Sequence, residues 1–116
     1  MVVSFNPRDT HISRPLHSQT PWPDADPNWT RVSKLESIVI GAYEIRRVAP
    51  THFRMIRIWV ADPYRRNGLG TWLLGHAIGL AESKGAREID AAPHQFYLSH
   101  EFEPNAGTLR LRLQPE

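Results

Sequence analysis

Residues 53–74 read FRMIRIWVADPYRRNGLGTWLL, and this stretch decides the fold. Phe53 to Val60 is nearly continuous in apolar and β-branched residues, as in a strand at the interior of a sheet. Ala61-Asp62-Pro63-Tyr64 reads as the strand exit, because proline has no amide hydrogen to give to a ladder. From Thr71 to Lys84 the spacing is helical: Leu69, Leu73, Ala77, Leu80 and Ala81 share one stripe, with Leu74 and Ile78 beside it. Gly85 stops this helix, with Lys84 near its negative end. Gly75 and Gly79 weaken the helix but could let it lie close against a sheet.

Between strand and helix stands Arg65-Arg66-Asn67-Gly68-Leu69-Gly70. The first N–H groups of a helix have no intrahelical acceptor, and the helix dipole adds partial positive charge there. Gly68 and Gly70 carry no side chain, so a phosphate can approach the backbone, and Arg65 and Arg66 add charge at the same place. A pyrophosphate is the natural guest of such a nest. Glycine pairs before helices also occur as plain turns, so the dipeptide alone leaves that reading open. A P-loop requires Lys-Ser/Thr after the last glycine, where Thr71-Trp72 stands; the dinucleotide fingerprint requires a glycine where Leu73 stands.

Working outward, Trp29–Val32 and Ile38–Val48 are strand candidates on either side of a polar turn at residues 33–37. Ala49-Pro50-Thr51 is a second turn. Downstream, residues 86–91 form a short strand and Pro93 to His100 one or two helical turns. Thr108 to Leu113 alternates, with Leu109, Leu111 and Leu113 inward and Arg110 and Arg112 toward solvent. The order is β-β-β-α-β-α-β. It follows a lead, residues 1–28, that holds five of the ten prolines and should be extended or looped unless Trp22 and Trp29 pin it down. The domain proper is placed at residues 29–116.

The bulk numbers agree with one small globular unit. The chain has 116 residues, 41% apolar and 22% charged, which argues against wholesale disorder. A net charge of +2, mixed in sign along the chain, gives no reason to invoke nucleic acid. With no cysteine there can be no disulfide, no thiolate nucleophile and no cysteine zinc site. The six histidines show no metal-ligand spacing, so no metal is expected. No apolar run approaches the roughly 20 residues of a membrane span. A cytoplasmic protein without membrane attachment is expected.

The longer context of the loop carries a resemblance. Strand FRMIRIWV, then Val60, Pro63, Tyr64, Arg65, Gly68 and Gly70 in order, then a helix, resembles motif A of the GNAT-type N-acetyltransferase superfamily. Residues 29–48, with Gly41, resemble that family's second and third strands. Phe96-Tyr97-Leu98-Ser99-His100-Glu101-Phe102 is similar to its phenylalanine-tyrosine-x-x-x-glycine-phenylalanine segment, with Glu101 in the place of the glycine. The resemblance covers residues 29 to 113.

The resemblance implies a mixed α/β (α+β) fold: a mostly antiparallel central sheet, splayed at an acyl-CoA cleft, with a glycine-loop helix. It implies acetyl-CoA as co-substrate, with the backbone of Ile58, Trp59 and Val60 along the pantetheine arm. Arg65, Arg66, Asn67, Gly68, Leu69, Gly70 and Thr71 would hold the pyrophosphate. It implies acetyl transfer to an amine, on a small molecule or a peptide, with Tyr97 as the acid for the leaving thiolate or else as a core tyrosine. The chain looks like a short member, lacking the strand and two helices that usually precede the second strand. No glutamate stands on the strand before the loop; Asp62, Glu44 and His52 are the conceivable bases. The alternative is a non-catalytic CoA-binding module that regulates a protein partner. A sheet without its covering helices would leave apolar surface or an open edge, so a homodimer or protein partner is also expected.

Overall fold

A computed structural model describes residues 10–15 and 20–113; the rest of the lead and residues 114–116 lie outside the described residues. Seven strands form one sheet: β1 (Thr10–Ser13), β2 (Thr30–Leu35), β3 (Ile38–Ala49), β4 (His52–Val60), β5 (Glu88–Ala91), β6 (Glu103–Asn105) and β7 (Thr108–Arg112). Helix α1 (Leu69–Ser83) joins β4 to β5, and the short α2 (Gln95–Leu98) joins β5 to β6. The sheet order is β1-β2-β3-β4-β5-β7-β6, with β4 and β5 parallel and the other neighbours antiparallel. This is the mixed, mostly antiparallel α/β sheet that the sequence leads one to expect.

Two strands escaped the sequence reading. The lead contributes β1, which pairs with β2 from Thr10↔Leu35 to Ser13↔Val32, so the expected loss of the first strand is corrected. Among the described residues no helix lies between β1 and β2. The other is β6, three residues that hairpin onto β7 through Ala106 and Gly107, both at positive φ (50° and 85°), a backbone that suits a two-residue turn. The turn between β2 and β3 is also tighter than expected: it is Glu36 and Ser37, at φ 50° and 71°.

One core lies on one face of the sheet. Leu69, Leu73, Leu74, Ala77 and Ala81 of α1 are buried against Ile45, Phe53, Met55 and Ile89, and Tyr97 and Phe102 join the same cluster. The residue that brings α1 close is Gly41 on β3, not a helix glycine. A Cβ at Gly41 would stand 2.7 Å from Leu73 Cδ1, whereas a Cβ at Gly75 or Gly79 would meet nothing within 4 Å. The expectation that those two glycines serve close packing is therefore corrected: they lie away from the sheet.

The opposite face carries a network of charged side chains beside the buried Val32 and Ala42, and the sheet ends in the β1 and β6 edges. Side chains alternate along a strand, and an extra residue on β4 at Ile56 brings Arg57 to the same face as Arg54, so Glu44, Arg54, Arg57 and Asp90 all point away from the helices. Asp90, buried at 4% exposure, accepts from Arg54 Nε (2.8 Å) and Nη2 (3.2 Å) and lies 2.9 Å from His52 Nε2. Arg110 does not simply enter solvent: its Nη1 pairs with Glu88 at 3.2 Å. Glu44, at 1% exposure, binds Arg57 Nε (2.9 Å), Arg46 Nη2 (3.0 Å) and the backbone N–H of Asp26 (3.3 Å). Arg57 in turn bonds Asp24 (2.9 Å) and lies over the Trp22 ring at 4.6 Å. Trp22 thus fastens the lead onto this face, while Trp29 packs edge-on against Phe53, 5.9 Å away, on the other. Among the described residues no helix is long and apolar enough to cross a membrane.

Candidate functional site

The site begins where β4 loses its neighbour. Only His52, Phe53 and Arg54 pair with β5, in register with Glu88, Ile89 and Asp90. Beyond Asp90, β5 has one more residue, Ala91, which pairs with Leu109 of β7. Met55 to Val60 therefore runs on with β3 on one side and a gap on the other. At the start of the gap the β3–β4 register slips: Ile45 faces Met55 but Glu44 faces Arg57, so Ile56 is an extra, bulged residue. The sequence carries a trace of it, since Arg54 and Arg57, which share the outer face, stand three residues apart rather than an even number.

Alternation settles which backbone groups face the gap. The N–H of Ala61 donates to the Ile40 carbonyl of β3 (2.8 Å), so two residues back Trp59 also turns toward β3. Ile58 and Val60 turn the other way. The Val60 carbonyl accordingly accepts from Arg65 Nε (3.2 Å), outside the ladder. Of the three residues expected along a pantetheine arm, the backbone of Ile58 and Val60 faces the gap and that of Trp59 does not.

The gap runs into the glycine loop. A 3₁₀ turn, Asp62–Tyr64, with Pro63 in its first turn, ends the strand. Arg66 then takes φ 64° and Gly68 φ 95°, two left-handed residues that swing the chain into α1 with Gly68 as its N-cap. The first helical hydrogen bond of this end is Trp72 N–H to the Gly68 carbonyl (3.0 Å), and the N–H groups of Gly70 and Thr71 precede it. Asn67 caps the turn: its Oδ1 accepts from Leu69 N–H at 3.4 Å. Leu69 itself is fully buried and anchors the loop to the core.

Arg65, Arg66, Gly68, Gly70 and Thr71 come together around a pocket of about 320 Å³, closed on its far side by Val60, Phe96 and His100. A Cβ at Gly70 would enter this space, 3.4 Å from Phe96 Cε1 and 3.8 Å from Val60 Cγ2. The nest, its two guanidiniums and the side-chain-free Gly70 thus fit a phosphate group followed by a slender chain. Arg65 is partly committed, since its Nε also lies 3.2 Å from Asp62 Oδ1. Phe96 and His100 belong to the segment singled out in the sequence, yet only folding brings them to this wall. A larger hollow of about 940 Å³ lies elsewhere, against the β6–β7 hairpin and Leu98.

Tyr97 is not on the pocket wall. It is buried at 7% exposure, between Phe96 (ring centroids 5.4 Å) and Phe102 (5.2 Å). Burial pushes its phenol pKa up, so it keeps its proton at neutral pH. Glu101 takes φ 72°, a left-handed conformation that suits the glycine for which it substitutes.

Each of the three conceivable bases has a charged or hydrogen-bonded partner, and only Asp62 is open to solvent. Glu44 is held by two arginines, His52 is bound to Asp90, and Asp62, 84% exposed, pairs with Arg65. His76 lends its Nδ1 to the Tyr43 hydroxyl (2.6 Å). Partial burial, and then the charge of Arg31, hold the His76 pKa down, which favours the neutral ring. Among the described residues no group of three metal-ligating side chains converges.

No curated protein sequence matches the chain. Several solved structures share its fold. Ard1 from Thermoplasma volcanium superposes with a TM-score of 0.70 at 17% identity, over 77% of this chain and 73% of that one. An N-acetylglutamate synthase from Neisseria gonorrhoeae, complexed with coenzyme A and N-acetyl-glutamate, gives 0.75 at 11% identity, over 91% of this chain. This chain spans only 35% of that synthase. A GNAT family acetyltransferase from Elizabethkingia anophelis with acetyl-CoA bound gives 0.69 at 19% identity, over 90% of this chain and 99% of that one. At such identities the likeness is one of fold. The family model described as acetyltransferase (GNAT) family matches residues 4–102, most of the sequence, and the chain therefore belongs to the GNAT acetyltransferase family.

Proposed function

We propose that this protein binds acetyl-CoA in the β4–β5 gap and transfers the acetyl group to an amine. The observation that carries the proposal is the continuity of two features. The edge of β4 that lacks a strand partner runs directly into a glycine loop whose pocket is lined by Arg65 and Arg66. An extended pantetheine arm can take the place of the missing strand, bonding to the backbone of Ile58 and Val60. The amides of residues 66–71, foremost those of Gly70 and Thr71, would hold the pyrophosphate.

The chemistry needs a neutral amine attacking the thioester carbonyl. The amine gives up its surplus proton to a base or a chain of waters, the carbon–sulfur bond breaks, and the thiolate takes a proton. Tyr97, protonated at neutral pH and neighbour in the chain to Phe96 of the pocket wall, is the proposed donor. The bulge at Ile56 turns the backbone at the start of the gap, where donors to a developing oxyanion are needed. The cytoplasmic setting expected from the sequence belongs to the same proposal, as does an acceptor that is a small amine or a peptide.

One observation favours a second reading. Glu44 and His52 are held by partners and Asp62 sits in an exposed ion pair, so none of the three is poised in the pocket as a base, which suits a module that binds CoA and acts on a protein partner without turnover. Calorimetric titration with acetyl-CoA separates the possibilities when followed by an amine screen. Micromolar binding with CoA release on adding amines supports the transferase, and Tyr97→Phe should then lower kcat by about 10²-fold. Binding without release supports the module. Gly70→Val is the sharper control, since Gly70 is helical and the new side chain would fill the pocket without backbone strain. If Gly70→Val bound acetyl-CoA as the wild type does, the loop would not be the site.

A further inference from the structure

The reading above leaves the side chain of His100 without a role. His100 follows α2, and its imidazole reaches back to the first turn of α1. Nδ1 lies 2.7 Å from the Phe96 carbonyl oxygen and Nε2 lies 2.8 Å from Thr71 Oγ1. The carbonyl can only accept, so Nδ1 carries a proton. In the neutral ring Nε2 then accepts the Thr71 hydroxyl hydrogen; in the charged ring Nε2 donates. The ring is held in place by Phe96, with centroids 4.6 Å apart. Ser99 Oγ, 3.3 Å from Nδ1, gives its own hydrogen to the same Phe96 carbonyl (2.8 Å).

The charges around this ring are one-sided. From the β4–α1 loop, Arg65 and Arg66 line the same pocket. From α1, the first turn offers the Thr71 hydroxyl and no acidic side chain. From α2, His94 is turned inward, its Nδ1 accepting from Phe96 N–H (3.0 Å). Glu101, next in the chain, lines the hollow beside the β6–β7 hairpin together with Glu103. Among the described residues no carboxylate lines the loop pocket, so a charged His100 finds its counter-ion there only in a bound anion.

We propose that His100 is a third charged side chain on the cofactor's diphosphate, after Arg65 and Arg66, and a proton-dependent one. On binding, the ring takes up a proton and donates Nε2–H toward a phosphate oxygen, alone or through the Thr71 hydroxyl. The inference rests on the reading of this pocket as the CoA site. It adds a residue outside the glycine loop and couples the occupied loop to the helix that bears Tyr97. By linkage, an anion that favours the charged ring binds more tightly as pH falls.

The test uses 3′-dephospho-CoA, whose diphosphate stays ionised, because the 3′-phosphate of CoA itself titrates near pH 6. From pH 7.5 to 5.5 the Kd of the wild type should fall about fivefold, the share of the tenfold limit of one pKa unit of coupling that a two-unit window covers. In His100→Gln, which keeps hydrogen-bonding groups but cannot titrate, the Kd should not fall. Calorimetry in buffers of different ionisation enthalpy should show net proton uptake on binding at pH 6.5 for the wild type and none for the variant. A flat wild-type profile, or a slope that survives in His100→Gln, overturns the proposal. Should the variant not fold, the wild type still decides: the ¹⁵N signal of His100 Nε2 must move to its protonated position when dephospho-CoA is added at pH 6.5. No binding by the wild type at any pH fells the pocket reading itself, a result distinct from binding without proton linkage.

Discussion

The two halves of β4 make unlike structures from one continuous run of sequence. His52 to Arg54 is flanked by strands on both sides, and Asp90 locks its outer face by bonding Arg54 and His52. Met55 to Val60 has a strand on one side only, starts with a bulge and ends at the glycine loop. The first half is scaffold and the second is the proposed cleft wall. The lesson is that a cleft in a sheet needs a firm closed end, since a splay without one would spread along the whole strand pair.

The largest expected effect bears on that closed end. Asp90→Ala removes the acceptor of both Arg54 and His52; because Arg54 is half-exposed and can be hydrated, the cost should be about 2–3 kcal/mol rather than that of a fully buried pair. Urea denaturation measures it. Acetyl-CoA affinity of the folded fraction should be kept; a parallel loss would mean that the two halves are not independent. Gly41→Ala comes next and probes the open half from behind. Its Cβ would stand 2.7 Å from Leu73 Cδ1 and 3.0 Å from Ser33 Oγ, and pushing α1 away should cost about 1–3 kcal/mol. Here a fall in acetyl-CoA affinity is expected too, because α1 carries the loop.

Glu101→Gly should act in the other direction. Relief of the left-handed strain at φ 72°, offset by the extra freedom of glycine in the unfolded chain, should stabilise by about 0.5–1 kcal/mol. A loss of stability would mean that the glutamate side chain does something the backbone does not explain. The smallest effect is a pH slope. Burial alone would raise the Asp90 pKa, but hydrogen bonds from Arg54 and His52 and their charges outweigh it and hold it down. Its stabilisation is therefore present above the unfolded value, about 3.9, and is lost as pH falls through the lower folded value. The urea midpoint of the wild type should drop faster below pH 4 than that of Asp90→Asn. Equal slopes would show that the closed end owes little to this carboxylate.

The sequence by itself determined the run from strand to glycine turn to helix, because each part has a local cause. These are β-branched residues in an apolar run, proline at the exit, glycines at the turn and a 3.6-residue stripe. The left-handed φ of Gly68 and the burial of Leu69, Leu73, Ala77 and Ala81 follow those local signals directly. It also matched Glu101 to a glycine position, whose left-handed backbone the fold then showed. The tertiary structure alone decided the rest. β1 and β6 are short and polar, and they exist as strands because β2 and β7 offer them edges. The parting of β4 and β5 depends on where β5 stops, which no residue of β4 encodes. Phe96 and His100 reach the pocket because α2 folds back onto the start of α1, a contact between residues far apart in the chain. Local chemistry writes turns, caps and stripes; strand partners and pocket walls are set by which distant surfaces meet.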